Sequence, residues 1–149
     1  MPAGNTFQSD LLKLICENLA IAGIGDTSGL QPSGSAGSLY VALHTANPGA
    51  GGGQSTSEAA YTGYARVAIS RASGSWSISG SSPTSIANAG AVTFPQATGG
   101  SETETYFSIG DASTGAGKIL WYGALTSSLA VSNGVTPQFA AGALVATAD

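Results

Sequence analysis

The chain reads as all-β, a jelly-roll-like β-sandwich of about eight antiparallel strands with one N-terminal α-helix. Three observations predict it. Short runs recur in which apolar and polar residues alternate, the period of a strand with one face on a core. Clusters of Gly, Ser, Pro and Asn cut those runs at close intervals. Only one stretch, near the N-terminus, has helical spacing. A length of 149 residues suits a single domain spanning 1–149, with an arm at 1–6, a helix at 7–22 and the sandwich over 38–149.

The elements follow in order. Residues 7–20 place Phe7, Leu11, Leu14, Ile15 and Leu19 at spacings of three and four, one apolar stripe. Asn5 or Thr6 can cap this helix and Gly23 with Gly25 can stop it. It either covers an edge of the sandwich or docks on a neighbouring subunit. Ser38–Thr45 is the clearest strand, with Leu39, Val41 and Leu43 on one face and Tyr40, Ala42 and His44 on the other. A Gly-rich loop runs from there to about Ala60, a length that marks a functional or mobile segment. Its only charge is Glu58, too little for an ionic hook.

The second strand spans 61–70, with Ala65, Val67 and Ile69 inward and Tyr64, Arg66 and Ala68 outward. Ser75–Ser79 alternates Trp76 and Ile78 with serines, a weaker strand passes through Ile86, and 91–95 ends at a proline. Residues 103–111 and 118–125 form a hairpin around the loop 112–117. Strands near 129–131, 135–140 and 143–148 close the chain, turned by Gly134 and Gly142. No repeat recurs along it, which argues against a propeller or a fibre-shaft solenoid.

Composition narrows the function classes. Charged residues make up 8% of the chain, against about 25% in ordinary soluble domains. Such a surface resists association poorly, so partners are expected to cover much of it. The net charge is −4, and Lys13, Arg66, Arg71 and Lys118 are scattered, so no nucleic-acid partner is expected. Cys16 stands alone and reads as a small buried hydrophobe. No signal peptide or membrane span is expected, hence no membrane partner.

The search for chemistry assigns no catalytic, cofactor-binding or metal-binding residue. His44 is the only histidine. Serine and carboxylate partners converge only in space, and no G-x-S-x-G elbow surrounds a candidate serine. A ring packed on a strand edge, or bonded to a loop carbonyl, is the favoured reading. Glu102 and Glu104 share a strand face and could serve a cation or acid-base work, but strand-edge glutamates are usually solvated. Asp111 suits an Asx-type turn. Residues 49–53 lack the Lys-Ser/Thr of a phosphate-binding loop. Trp76, Tyr106, Trp121 and Tyr122 are the candidate contact residues, serving either core or partner. The expectation is therefore of a protein that is not an enzyme and needs no cofactor.

Several segments, in this order, resemble a widespread group of tailed-bacteriophage virion proteins. They are Leu39–Gly49, Tyr61–Arg66, Phe94–Gly99, Tyr106–Ala112, Leu120–Leu125 and Phe139–Leu144, and the likeness runs from about residue 10 to the C-terminus. Members of the group are tail-fibre or adhesin-like, and similar small β-sandwiches serve as head decoration (cement) proteins. The resemblance implies a structural virion component, made in the bacterial cytoplasm. Because a fibre needs elongation through heptads or repeats, cement is favoured. Such a protein would sit on the outer surface of the phage head and bind the major capsid protein and copies of itself, as a homodimer or homotrimer. The alternative is a tail- or head-fibre adhesin module that binds a host receptor or glycan.

Overall fold

In a computed structural model, which describes residues 3–80 and 84–148, one helix and nine strands are present. They are α1 (Asn5–Glu17), β1 (Ser38–His44), β2 (Val67–Ser70), β3 (Trp76–Ser79), β4 (Thr84–Asn88), β5 (Val92–Thr93), β6 (Ser101–Gly110), β7 (Ile119–Ser132), β8 (Gln138–Phe139) and β9 (Val145–Ala148). The chain gathers into two compact units, Met1–Ser38 with Ser70–Ala91 and Ala140–Asp149, and Leu39–Ile69 with Val92–Phe139.

The first unit holds α1 and the sheet β3-β4-β9. The helix starts two residues before the expected 7 and stops well short of 22. Asn5 and Thr6 are helical, and Gly4 takes the capping position without a side chain to offer. The stop is Asn18, left-handed at φ 56° and ψ 40°, a conformation asparagine tolerates. Its side chain accepts from Ser33 N and donates to Ser33 O, both at 2.9 Å, tying the connector to the helix end. Met1 and Pro2 of the expected arm lie outside the described residues.

The buried line on α1 is Gln8, Leu12 and Cys16, not the stripe through Phe7, Leu11, Leu14, Ile15 and Leu19. Phe7 and Leu19 are exposed. Polar contacts set this rotation. Gln8 accepts from Thr84 N of β4 at 3.2 Å and donates to Ala3 O. Arg71 donates to the last-turn carbonyls of Leu14 and Ile15, where a cation suits the helix dipole. Leu12, Cys16, Ile21, Trp76, Ile86, Leu144 and Ala146 form this unit's core. Burial pushes the Cys16 thiol up to about 12, so it stays protonated and inert.

The second unit holds the antiparallel sheet β2-β1-β6-β7 and the two-stranded ribbon β5-β8. Between ribbon and sheet runs a row of aromatic rings. Tyr61 meets Tyr64 edge-on at 5.3 Å, Tyr64 stacks on Phe94 at 6.2 Å, and Phe139 bridges Phe94 and Phe107. Gly123 lies opposite Phe107 in the ladder, and a Cβ there would stand 3.1 Å from the ring. The missing side chain is thus where the ring rests. This unit is sandwich-like, and with β3-β4-β9 it makes the described chain all-β but for α1. Jelly-roll connectivity does not follow from these strand orders.

The predicted hairpin is present but far longer, because β6 and β7 continue through 101–132. Their register shifts midway, with Glu104 opposite Leu129 and Tyr106 opposite Ala124. Residues 125–128 of β7 therefore face Thr105 alone. The second strand is shorter than expected. Gly63, at φ 97°, turns the chain, and strand geometry begins only at Val67. Ala65 is exposed rather than inward, while Arg66 is tucked in rather than outward.

Candidate functional site

The polar side chains that invite a chemical reading gather in the second unit, under the Gly-rich loop that follows β1. His44 is fully buried. Its Nδ1 stands 2.8 Å from Thr56 O, which can only accept, so Nδ1 carries the proton. Nε2 is then the acceptor for the Ser108 hydroxyl, also at 2.8 Å. Burial holds the ring below its usual pKa, and it remains neutral. The pair has the spacing of a base and a nucleophile, but Ser108 is as buried as His44, and the third partner is a carbonyl rather than a carboxylate. The expectation of a ring bonded to a loop carbonyl holds.

Beside it, Glu58 and Arg66 form a two-pronged ion pair, Nε to Oε1 at 2.6 Å and Nη2 to Oε2 at 2.7 Å. The side chains are 2% exposed for Arg66 and 19% for Glu58. This overturns the reading of Glu58 as too isolated for an ionic hook: its partner arrives from just past the Gly63 turn. Arg66 also donates to Ala112 O and Gly115 O, so one guanidinium clamps both the 46–60 loop and the 111–117 loop. The carboxylate beside it raises the Arg66 pKa further. Tyr64 reaches Glu58 with its hydroxyl, and burial pushes its pKa up.

Gln54 completes the clamp. Fully buried, it donates to Tyr40 O at 3.0 Å and accepts from Ala112 N at 3.1 Å. Gly110 and Gly117 make room for it, since a Cβ on either would collide with its amide. Asp111 accepts from Lys118 N at 2.8 Å and closes the 112–117 loop from end to end, a longer span than the Asx-type turn expected of it. The Gly-rich loop is thus pinned by Gln54, Thr56 and Glu58.

Glu102 and Glu104 do not behave alike. Glu102 accepts from Ala60 N and Tyr61 N, both at 2.8 Å, and holds that segment against β6. Glu104 is 0% exposed, and neither carboxylate oxygen has a hydrogen-bond partner among the described residues. Burial first, then the neighbouring Glu102, push its pKa up to about 8. It is a neutral acid at physiological pH, not the solvated edge residue expected. Among the described residues no group of three or more His, Cys, Asp or Glu side chains is placed to hold a metal ion.

Besides a shallow recess over the Glu58–Arg66 clamp, the described residues enclose an open feature lined by the hairpin. Where 125–128 bow out of the ladder, Leu43, Leu125, Leu129, Pro137 and Phe139 floor a cavity of about 260 Å³ rimmed by Thr126, Ser127, Ser128 and Gln138. No charged residue lines it. Of the expected contact aromatics, Trp76 is buried and donates to Ser70 O, Tyr106 and Trp121 are half-buried, and Tyr122 is exposed. No sequence signal pointed to the cavity, because a register shift in a ladder leaves no periodicity of its own.

A family model described as "Podophage GP4 fiber I protein gp80" matches residues 27–147. The chain belongs to that family. No curated protein matches it. As a member of a podophage fibre family it is a structural protein of a phage virion, as the segment resemblance implied. The match takes in His44, Glu58, Arg66, Glu104 and the whole of β7 of this fibre-family protein, and leaves α1 outside. Among its described residues no helix is long and apolar enough to cross a membrane.

Proposed function

We propose that this protein is a structural module of a virion fibre and catalyses no reaction. The family match over 27–147 carries the reading. The internal chemistry supports it: the ring nitrogens of His44, the donors of Arg66 and the amide of Gln54 are engaged with protein groups and position loops. Those loops are thereby held as rigid surface on a small fold, as an attachment or receptor-facing module requires. The uncharged cavity beside 125–128 is the place for a neutral host receptor group or glycan, with apolar floor and hydroxyl rim.

A second reading, capsid cement on the outer head surface, is favoured by one observation. Five exposed large apolar side chains, Phe7, Leu19, Ile24, Leu30 and Val145, lie in the first unit. Such a surface would bury against the major capsid protein and add area at its seams.

Gold-labelled antibody against the native chain, applied to purified particles together with quantification of copies per particle, separates the readings. Label on a few projecting appendages is the expected result. Label spread over the head at hundreds of copies would overturn the fibre reading and establish cement.

A further inference from the structure

We propose that Glu104 and Glu102 form a proton-controlled latch on residues 59–62, closed while Glu104 keeps its proton and opened by its loss. The bolt of the latch is Glu102. Its Oε1 accepts from both Ala60 N and Tyr61 N at 2.8 Å. On either side the segment is tied by backbone bonds, Ala59 N to Leu43 O at 2.9 Å and Thr62 N to Gly99 O at 3.0 Å. Between these ties, the Glu102 carboxylate is the acceptor that holds the two N–H groups to β6.

Glu104 is the trigger because of what it lacks. It follows Glu102 by two residues on β6, is 0% exposed, and has no hydrogen-bond partner for either oxygen among the described residues. Buried polar groups are ordinarily paired, and an unpaired carboxyl is tolerable only while uncharged. The ionised form needs water, and it repels the negative charge on Glu102. One movement answers both: lifting 60–61 from β6 frees Glu102 to turn outward and uncovers Glu104. Tyr61 is the cover that moves. It is 3% exposed, and its phenol is pushed up to about 12 by burial first and then by Glu104 and Glu102.

The surroundings leave Glu104 as the group that titrates. Tyr61, from the latched segment, stays neutral at physiological pH. On β7, Leu129 stands opposite Glu104 and Val131 opposite Glu102, and the strand carries no charge. β5 and β8 bring no titratable side chain. On β1, His44 stands opposite Tyr106 and is bonded to Thr56 and Ser108. The ion pair found among the described residues is Glu58–Arg66, so no basic side chain there neutralises Glu102 or Glu104.

Amide exchange on the wild-type chain, corrected for the direct effect of pH on the exchange reaction, reads the latch at Ala60 and Tyr61. The closed form keeps the Glu104 proton to about 8, and an open form loses it near the ordinary 4.5. Protection should therefore fall about tenfold per pH unit from about 6 to about 8 and level off above. Because the opening is local, exchange at these two amides should be unmoved by urea below the unfolding transition. Glu104→Gln removes the charge and should make protection flat with pH, while Glu102→Ala removes the acceptor and should lower protection at every pH. Wild-type protection that ignores pH would overturn the proposal. So would a urea dependence shared with the rest of the chain, which means global unfolding, or an unchanged slope in Glu104→Gln. If that variant does not fold, the wild-type pH and urea series decides alone.

Discussion

Glu104 shows at a single residue how this fold is tuned by pH. An ionised carboxylate without partners is costly to bury, so the folded chain keeps the proton up to about 8, whereas the ordinary value is 4.5. Below 4.5 both states hold the proton and the contribution to stability is fully present. Above it the unfolded chain ionises while the folded one does not, and stability declines until the folded pKa is passed. His44 acts in the opposite sense: held neutral by burial, it lowers stability as pH falls below 6.5. The interval from about 7 to 8 therefore belongs mainly to Glu104. Urea unfolding should lose about 1 kcal/mol across it, the slope easing as the folded pKa is reached, and Glu104→Gln should flatten it. An equal slope in the variant would assign the titration elsewhere. Beside the loops, Gly117→Ala drives a methyl group into the Gln54 amide. It should cost about 2 kcal/mol or more and speed amide exchange at Ala112, whose N–H Gln54 holds.

At the scale of the element, α1 tests which helical face carries the packing. Leu12→Ala should cost about 2–5 kcal/mol, because the side chain is fully enclosed. Phe7→Ala should cost about 0.5 kcal/mol or less despite removing a larger group, since that ring is exposed. The reverse order, measured by chemical denaturation, would restore the stripe that periodicity suggested. Sequence periodicity found the helix but misplaced its face, since Gln8 sits on the buried line and a polar residue there disguises it. The strands were more legible. Period-two alternation located β1, β3 and the β6–β7 hairpin, and side chains at the chain's turns signalled the breaks. The clamp was illegible for a physical reason. Glu58 and Arg66 are joined across a turn at Gly63 that looked like the inside of a strand, and Glu104 is dry because of where other segments cross it. Neither fact is local in sequence.

For the whole molecule the scarcity of charge makes a prediction of its own. Four basic and eight acidic side chains serve 149 residues, and the net charge is only −4. Screening by salt acts on exposed charges and hardly reaches enclosed ones. Glu58–Arg66 is the ion pair found among the described residues, and it is largely closed to solvent. Stability should therefore be nearly indifferent to sodium chloride, the melting temperature shifting by about 2 °C or less up to about 0.5 M. Arg66→Met should cost about 2 kcal/mol or more by leaving the half-buried Glu58 carboxylate without its partner and releasing Ala112 O and Gly115 O, and that loss should depend little on salt. A steep rise of the wild-type melting temperature with salt would mean that surface repulsion governs the fold.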